Sequence, residues 1–289
     1  MGIIALDSGI LSVSVNSHGA ELSSIRDRAG RELLWQGGDA WPRRAPILFP
    51  IVGRMPGDEL VHDGRSYPIG QHGFARDSDF AVESLGSSEC VFTLVDTAET
   101  RSHFPFPFRL DVNFSVIGTT LTVRHSVANT GDEIFAASLG AHPAFAWPIL
   151  DGIARDAHSI EFAVEEPAPI RRISDGLLLP DSLPTPVVGT TLELDESLFV
   201  DDAIIFDRLS SRSVRYSAPG APTITLDFTD FPLLGLWSKA PGEFVCIEPW
   251  FGVTAPQDFD GEYDRKPGQF TLKPGESRVF TYSITVDQP

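Results

Sequence analysis

Phe108-Arg109-Leu110-Asp111-Val112-Asn113-Phe114-Ser115-Val116-Ile117-Gly118-Thr119-Thr120-Leu121-Thr122-Val123-Arg124-His125-Ser126-Val127 decides the fold class. On one side of Gly118, Phe108, Leu110, Val112, Phe114 and Val116 stand at every second position; on the other, Leu121, Val123, His125 and Val127 do the same. Successive side chains of a strand point to opposite faces, so a period of two predicts a half-buried strand. Two such runs about a glycine turn predict an antiparallel hairpin with long arms. Asn129-Thr130-Gly131-Asp132 closes it.

The same pattern returns on both sides of this hairpin. Leu11, Val13 and Val15 alternate with Ser12, Ser14 and Asn16. Gly19-Ala20-Glu21-Leu22 runs through the turn Asp27-Arg28-Ala29-Gly30 into Glu32-Leu33-Leu34-Trp35, a predicted hairpin. Residues 90–95, 213–216, 223–228 and 233–237 read as further strands. Phe270 and Leu272 before Lys273-Pro274-Gly275-Glu276, with Phe280, Tyr282, Ile284 and Val286 after it, predict a last hairpin. Pro42-Arg43-Arg44-Ala45-Pro46 and the Pro-, Asp- and Ser-rich region 167–186 read as loops. No helical period is sustained over three turns, and there is no internal repeat. The 25 glycines and 23 prolines are spread along the 289 residues, as many short strands joined by turns require. With no break near the middle, the expectation is a single domain over residues 1–289, all-β and antiparallel, a large sandwich.

Composition narrows the partners. A net charge of -18 repels phosphate backbones and anionic membranes, so neither nucleic acid nor a membrane surface is an expected partner. It argues more mildly against an anionic substrate. No apolar run reaches the length of a membrane span. Met1-Gly2-Ile3-Ile4-Ala5-Leu6 is too short for a signal-peptide core and lacks a basic leader. Cys90 and Cys246 lie in apolar, strand-like runs and read as buried thiols of a reducing compartment. The expectation is a soluble, cytoplasmic protein, with its oligomeric state left open.

Motifs narrow the chemistry. No glycine-rich phosphate loop, no Gly-x-Ser-x-Gly elbow and no paired Cys-x-x-Cys or His-Glu-x-x-His is present. Asp258-Phe259-Asp260-Gly261-Glu262 has its glycine at the fourth position, not the sixth, and Gln269 where a calcium loop places its last glutamate. It reads as a solvated acidic loop. Neither a metal nor a cofactor is expected.

What remains is histidines and one unusual carboxylate. Phe244-Val245-Cys246-Ile247-Glu248-Pro249-Trp250-Phe251-Gly252 is an apolar run with Glu248 in its middle. Desolvation raises a carboxyl pKa towards neutrality, where a proton can pass either way. Pro249 holds Glu248 extended, and Pro143 does the same for His142. His142 and His72 stand among small and aromatic residues: Gly140, Ala141, Phe145 and Trp147, and Gly73 and Phe74. Glycine admits a ligand to the backbone and aromatic rings offer flat apolar faces. His125 reads as a hydrogen-bonded core residue, and His18, His62, His103 and His158 as surface residues.

These pieces together resemble the aldose 1-epimerase, or galactose mutarotase-like, family. The matching stretches are Gly19-Ala20-Glu21-Leu22, Pro50-Ile51-Val52-Gly53-Arg54, Gln71-His72-Gly73-Phe74-Ala75-Arg76-Asp77, Gly140-Ala141-His142-Pro143-Ala144-Phe145 and Cys246-Ile247-Glu248-Pro249-Trp250-Phe251-Gly252. Each is weak alone; the ordered set spans nearly the whole chain. The resemblance implies a β-supersandwich and an isomerase that interconverts the α and β anomers of a hexose. It implies Glu248 as general base, His142 as general acid, His72 as the second histidine on the sugar and Arg54 near the site. Asp202 matches an aspartate that binds a sugar hydroxyl, with Asp201 and Asp207 close enough to leave that choice open. The stretch around His72 and Arg76 is also similar to the hexose-6-phosphate branch, in which Arg76 and Arg54 would hold a phosphate. A third reading, a carbohydrate-binding module without turnover, leaves the acid and base unused.

Overall fold

The computed structural model describes residues 2–288. Phe108–Ile117 and Thr120–Asn129 form the long hairpin, paired from Ile117 opposite Thr120 to Phe108 opposite Asn129. Every second residue of each arm is buried, as the period of two requires. The hairpin lies inside a nine-stranded antiparallel sheet. Ser277–Asp287 pairs with Thr120–Asn129 on one side and with Thr223–Asp227 on the other.

A second, eight-stranded sheet is built on Leu233–Trp237 and Phe244–Phe251. Leu139–Ala141 and Ala144–Ala146 both pair with Phe244–Phe251. The inner faces of the two sheets meet in one apolar core. Val112, Phe114, Phe280 and Tyr282 enter it from the first sheet, and Leu234, Leu236, Val245 and Ile247 from the second. Ile3–Asp7, Ser12–Asn16 and Glu21–Arg26 form a smaller three-stranded sheet, whose Leu6, Val13, Val15 and Ile25 join the same core.

Phe244–Phe251 shows why its sequence reads as an unbroken apolar run. Val245 and Ile247 face the core between the sheets. Phe244 and Cys246 face outward, where Ala144, Trp35, Trp41 and Trp237 cover them. Trp250 is covered by Leu48, Val52, Ile205 and Leu233. A strand buried on both faces loses its alternation, and Glu248 is held in the outer of these two layers at 1% exposure.

Several expectations need correction. The region read as loops contains a hairpin, Ile170–Ser174 with Leu177–Leu183, at the edge of the second sheet. Its second strand is mostly exposed, so it carries no apolar alternation to find. The turn at Lys273 does not close a hairpin. Phe270–Leu272 pairs with Phe135–Ala137 instead. Asn129 drives this: its Nδ2 donates to the Leu272 carbonyl at 2.9 Å, and its own carbonyl accepts the Gly275 N–H at 3.0 Å. The hairpin expected at Asp27 to Gly30 shrinks to one bridge, Arg26 with Glu32; Leu34 bridges to Phe145.

His158 is not a surface residue. It is fully buried, accepts the Ile149 N–H at Nε2 and donates from Nδ1 to the carbonyls of Ala154 and Arg155. His125 is core, as expected, but its ring nitrogens make no well-formed hydrogen bond; the backbone of Phe280 across the ladder offers a marginal one. Both cysteines are buried free thiols. No described helix is long and apolar enough to cross a membrane.

Candidate functional site

A cleft of about 290 Å³ opens over the outer face of the second sheet. Of the residues singled out in the sequence, His72, Arg76, His142, Asp202 and Glu248 all line it. Arg54 does not. Its guanidinium forms two 2.6 Å hydrogen bonds to Asp58, and its alkyl chain packs behind Gly176, which does line the cleft. Of the three candidate aspartates, Asp207 is engaged with Arg171 at 3.2 Å, Asp201 lies outside the cleft wall, and Asp202 reaches it.

Glu248 and His142 come from neighbouring elements. Leu139–Ala141 pairs with the end of Phe244–Phe251, which sets His142 beside the carboxyl. His142 Nε2 and Glu248 Oε2 stand 3.2 Å apart, an ion-pair distance without the alignment of a hydrogen bond. The His142 Nδ1 and the Trp250 Nε1 are also buried without a well-formed partner. Buried polar atoms are nearly always paired in native proteins, so this cluster at the foot of a cleft points to a polar ligand.

Aromatic rings box the pair. Trp41 stacks on the His142 imidazole at 4.8 Å and 25°. Trp237 and His72 meet the same ring edge-on, each at 5.8 Å. The water these rings exclude decides the proton's place. Burial pushes the Glu248 pKa well above the ordinary carboxylate value, against a smaller opposing pull from the Trp250 indole. Burial pushes His142 down to about 3. The resting pair therefore favours a protonated carboxyl facing a neutral imidazole, the reverse of the base and acid that the resemblance implies. Both arrangements hold one proton in the pair, so the two groups titrate as a unit.

His72 is fixed by its backbone partners. It sits at φ +66°, and its N–H donates to the Gly53 carbonyl at 2.7 Å. Its Nδ1 accepts the Gly53 N–H at 3.1 Å. Burial holds the ring neutral, helped by Arg76 and His142. A neutral imidazole that accepts at Nδ1 carries its proton on Nε2, as a donor. Gly53 is itself at φ +74°, and a Cβ there would fall 2.1 Å from the Thr254 Cβ, so only glycine fits.

Arg76 reaches the cleft with one strong contact, from Nη2 to the Gln71 carbonyl at 2.6 Å; its buried Nε makes no hydrogen bond and lies 3.7 Å from the Asp77 carboxylate. Burial and the adjacent Arg43 bring its pKa down to about 10. Arg43 is held by Asp77 at 2.7 Å. The Glu21 carboxylate accepts the N–H groups of Arg44 and Ala45, at 2.8 and 3.0 Å, and so pins the loop that carries Arg43 and Trp41.

The sequence reading missed Trp41, Trp237 and Gln71, which also line the cleft. A signal existed for the indoles: the chain has 5 tryptophans, and three of them stand in this one wall. Among the described residues, one group of three potential metal ligands lies together, His142, Cys246 and Glu248, with donor atoms within 4.8 Å. Two of the three are the acid–base pair itself.

An aromatic-walled cleft with a few convergent polar groups has the make-up of a small-molecule site. Comparison with known proteins names the family. The family model described as Aldose 1-epimerase matches residues 2–285, and the chain belongs to that family. Protein LacX of Lactococcus lactis subsp. lactis is 34% identical over 98% of this chain and 99% of its own length. A galactose mutarotase related enzyme from Lactobacillus acidophilus superposes with a TM-score of 0.91 at 32% identity, covering 99% of this chain and 98% of that one. A galactose mutarotase-like protein from Lactobacillus casei also reaches 0.91, at 29% identity, with 99% and 100% covered. The fold is the galactose mutarotase-like β-supersandwich, and the family is one of isomerases.

Proposed function

We propose that this protein is an aldose 1-epimerase that interconverts the anomers of a hexose, with Glu248 and His142 as its acid–base pair. The observation that carries the reading is their 3.2 Å approach, buried and unpaired, at the foot of the cleft. Opening a pyranose requires that the anomeric hydroxyl lose a proton while the bond from C1 to the ring oxygen breaks and that oxygen gains one. A pair holding one proton can do both. One member gives its proton to the ring oxygen as the other takes the hydroxyl proton, so the pair still holds one, on the opposite partner. Rotation about the bond to C1 and closure on the other face return the proton to where it began. The cycle closes with no other reagent.

The remaining roles follow from position. His72 offers its Nε2–H to a sugar oxygen, and Asp202 accepts from a hydroxyl. Trp41, Trp237 and Trp250 present apolar faces to the ring carbons. Optical rotation of freshly dissolved α-galactose or α-glucose tests the reading. Catalysed decay to the equilibrium mixture is the expected result. Sugar binding without faster decay would leave a carbohydrate-binding module.

One observation favours a second substrate class within the same chemistry. Arg76 lines the cleft with Arg43 close behind it, and the two guanidiniums share one carboxylate, Asp77, at 3.7 Å from the Arg76 Nε and 2.7 Å from Arg43. A hexose 6-phosphate would bring a second anion to this arginine pair. Arg54, tied to Asp58, plays no part in that arrangement. The neutral sugar stands first because the net charge of -18 steers anions away.

A further inference from the structure

The edge hairpin that the sequence conceals carries Arg172, which does not line the cleft and makes no side-chain ion pair among the described residues. Its guanidinium instead spans two backbone carbonyls. Nη1 donates to Asp202 at 2.7 Å and Nη2 to Leu198 at 2.8 Å. These carbonyls bracket the turn that brings the chain to the cleft. The Asp202 N–H closes the same turn on the Phe199 carbonyl at 3.2 Å.

Asp202 needs such support. It stands at φ +65°, the left-handed region, which aspartate enters more readily than most residues but still at a cost in free energy. One carboxylate oxygen, Oδ1, is occupied by the Ala203 N–H at 2.8 Å. That bond orients the carboxylate and leaves the second oxygen for the cleft. The positive charge of Arg172 also lies near the carboxylates of Asp201 and Asp202, which oppose its desolvation.

We infer that Arg172 is a positioning residue: by bridging the carbonyls of Leu198 and Asp202 it holds the Asp202 carboxylate where a sugar hydroxyl can donate to it. The inference rests on the proposed role of Asp202 in sugar binding. Arginine suits the task because its two Nη donors are fixed in one plane, whereas lysine brings the charge on a single mobile ammonium. A charge-preserving exchange therefore separates the fork from the charge.

The test is a double-mutant cycle between Arg172→Lys and Asp202→Ala, read by steady-state mutarotation and by the indole fluorescence change on titrating galactose. The second readout gives a dissociation constant without turnover. Asp202→Ala removes a hydrogen bond to a charged group, and an increase in KM and Kd on the order of tenfold or more is expected. Arg172→Lys is expected to raise both severalfold with kcat held, and to add little in the Asp202→Ala background. Multiplicative effects, or a lower melting temperature with KM unchanged, would show Arg172 to be scaffold only and overturn the inference. An Asp202→Ala protein with wild-type KM and Kd would overturn the role of Asp202 itself, a failure of the underlying reading that the single variant reports alone. If Arg172→Lys does not fold, Arg172→Gln, which keeps a planar donor, replaces it in the same cycle.

Discussion

The Trp250 indole occupies the space that any side chain at position 235 would need. A Cβ on Gly235 would fall 2.5 Å from Cζ2 of that ring, and one on Gly140 would fall 2.8 Å from its Cδ1. Gly235 pairs with Glu248 on one side of the central strand, and Gly140 pairs with Trp250 on the other. The ring therefore lies flat across three strands beneath the cleft, with its Nε1 beside the Glu248 carboxyl. Two glycines, remote from each other in sequence, make the floor on which the acid–base pair stands.

Gly235→Ala is expected to lift that floor. Overpacking a filled site costs about 1–3 kcal/mol, and the tilted indole would no longer steady Glu248. Thermal unfolding should show the loss of stability. Mutarotation by the remaining folded protein should fall roughly tenfold or more, since a displaced acid or base forfeits part of its contribution of about 10²–10⁴. A variant with unchanged near-ultraviolet dichroism and full activity would remove Trp250 from the account.

His125 gives the fold an acid-sensitive term. Burial depresses its pKa from 6.5 to about 4. Between those values the unfolded chain binds a proton that the folded chain refuses, so stability rises with pH there. The contribution is fully present above pH 6.5 and is lost as pH falls towards 4. Its size is on the order of 3 kcal/mol at most. His125→Phe, stacked in the same place on Tyr282, is expected to flatten the acid side of the melting-temperature profile without slowing mutarotation. His125→Asn should lower stability at neutral pH and also spare the chemistry. An unchanged acid profile in His125→Phe would assign the titration elsewhere.

How much of this was legible depends on what each segment faces. The hairpin about Gly118 was plain because one face of each arm is core and the other is not. Phe244–Phe251 was legible as special because a carboxylate in a doubly covered strand breaks every compositional habit. His72, His142 and Glu248, which the structure brings to one cleft, stood out because glycine, proline and aromatic neighbours mark places where backbone is pinned and ligands approach. The edge hairpin at Ile170–Ser174 was hidden because an exposed edge strand needs no alternation. Arg54, placed near the site by the family resemblance, stays outside the cleft lining because Asp58, four residues on, captures its guanidinium, a pairing the motif does not carry. Trp41 stayed unseen because only tertiary packing lays it on His142. The direction of the proton in the pair needed burial, which no motif carries.

Substrate charge can be read through Arg76. If the cleft serves a phosphate, glucose 6-phosphate should equilibrate faster than glucose, and Arg76→Ala should erase the difference. If the sugar is neutral, the preference is absent and Arg76→Ala changes both rates alike, through its contact to Gln71. Raising ionic strength adds a check, since attraction to a charged substrate weakens with screening. Anomer equilibration of the two sugars at low and high salt decides between them.

The acid–base pair supports the most demanding expectation. Glu248→Gln keeps the shape of the side chain but cannot exchange a proton, and His142→Asn cannot carry one at neutral pH. Each should slow mutarotation on the order of 10²–10⁴, the usual contribution of a positioned acid or base. The double variant should lose less than the product of the two, because both groups act in one transition state. The pH dependence follows from the pair as a unit. Burial pushes Glu248 up and His142 down to about 3, so a single proton should stay within the pair across a wide range. The rate should therefore hold a broad plateau through neutral pH. It should fall in acid, where His142 gains a second proton, and in alkali, where Glu248 gives up the shared one. In Glu248→Gln the alkaline limb should vanish along with most of the rate. Polarimetry on α-galactose at fixed enzyme concentration, with folding checked by circular dichroism, reads all of this. Folded Glu248→Gln protein turning over near the wild-type rate would sink the assignment and leave the cleft as a binding site alone.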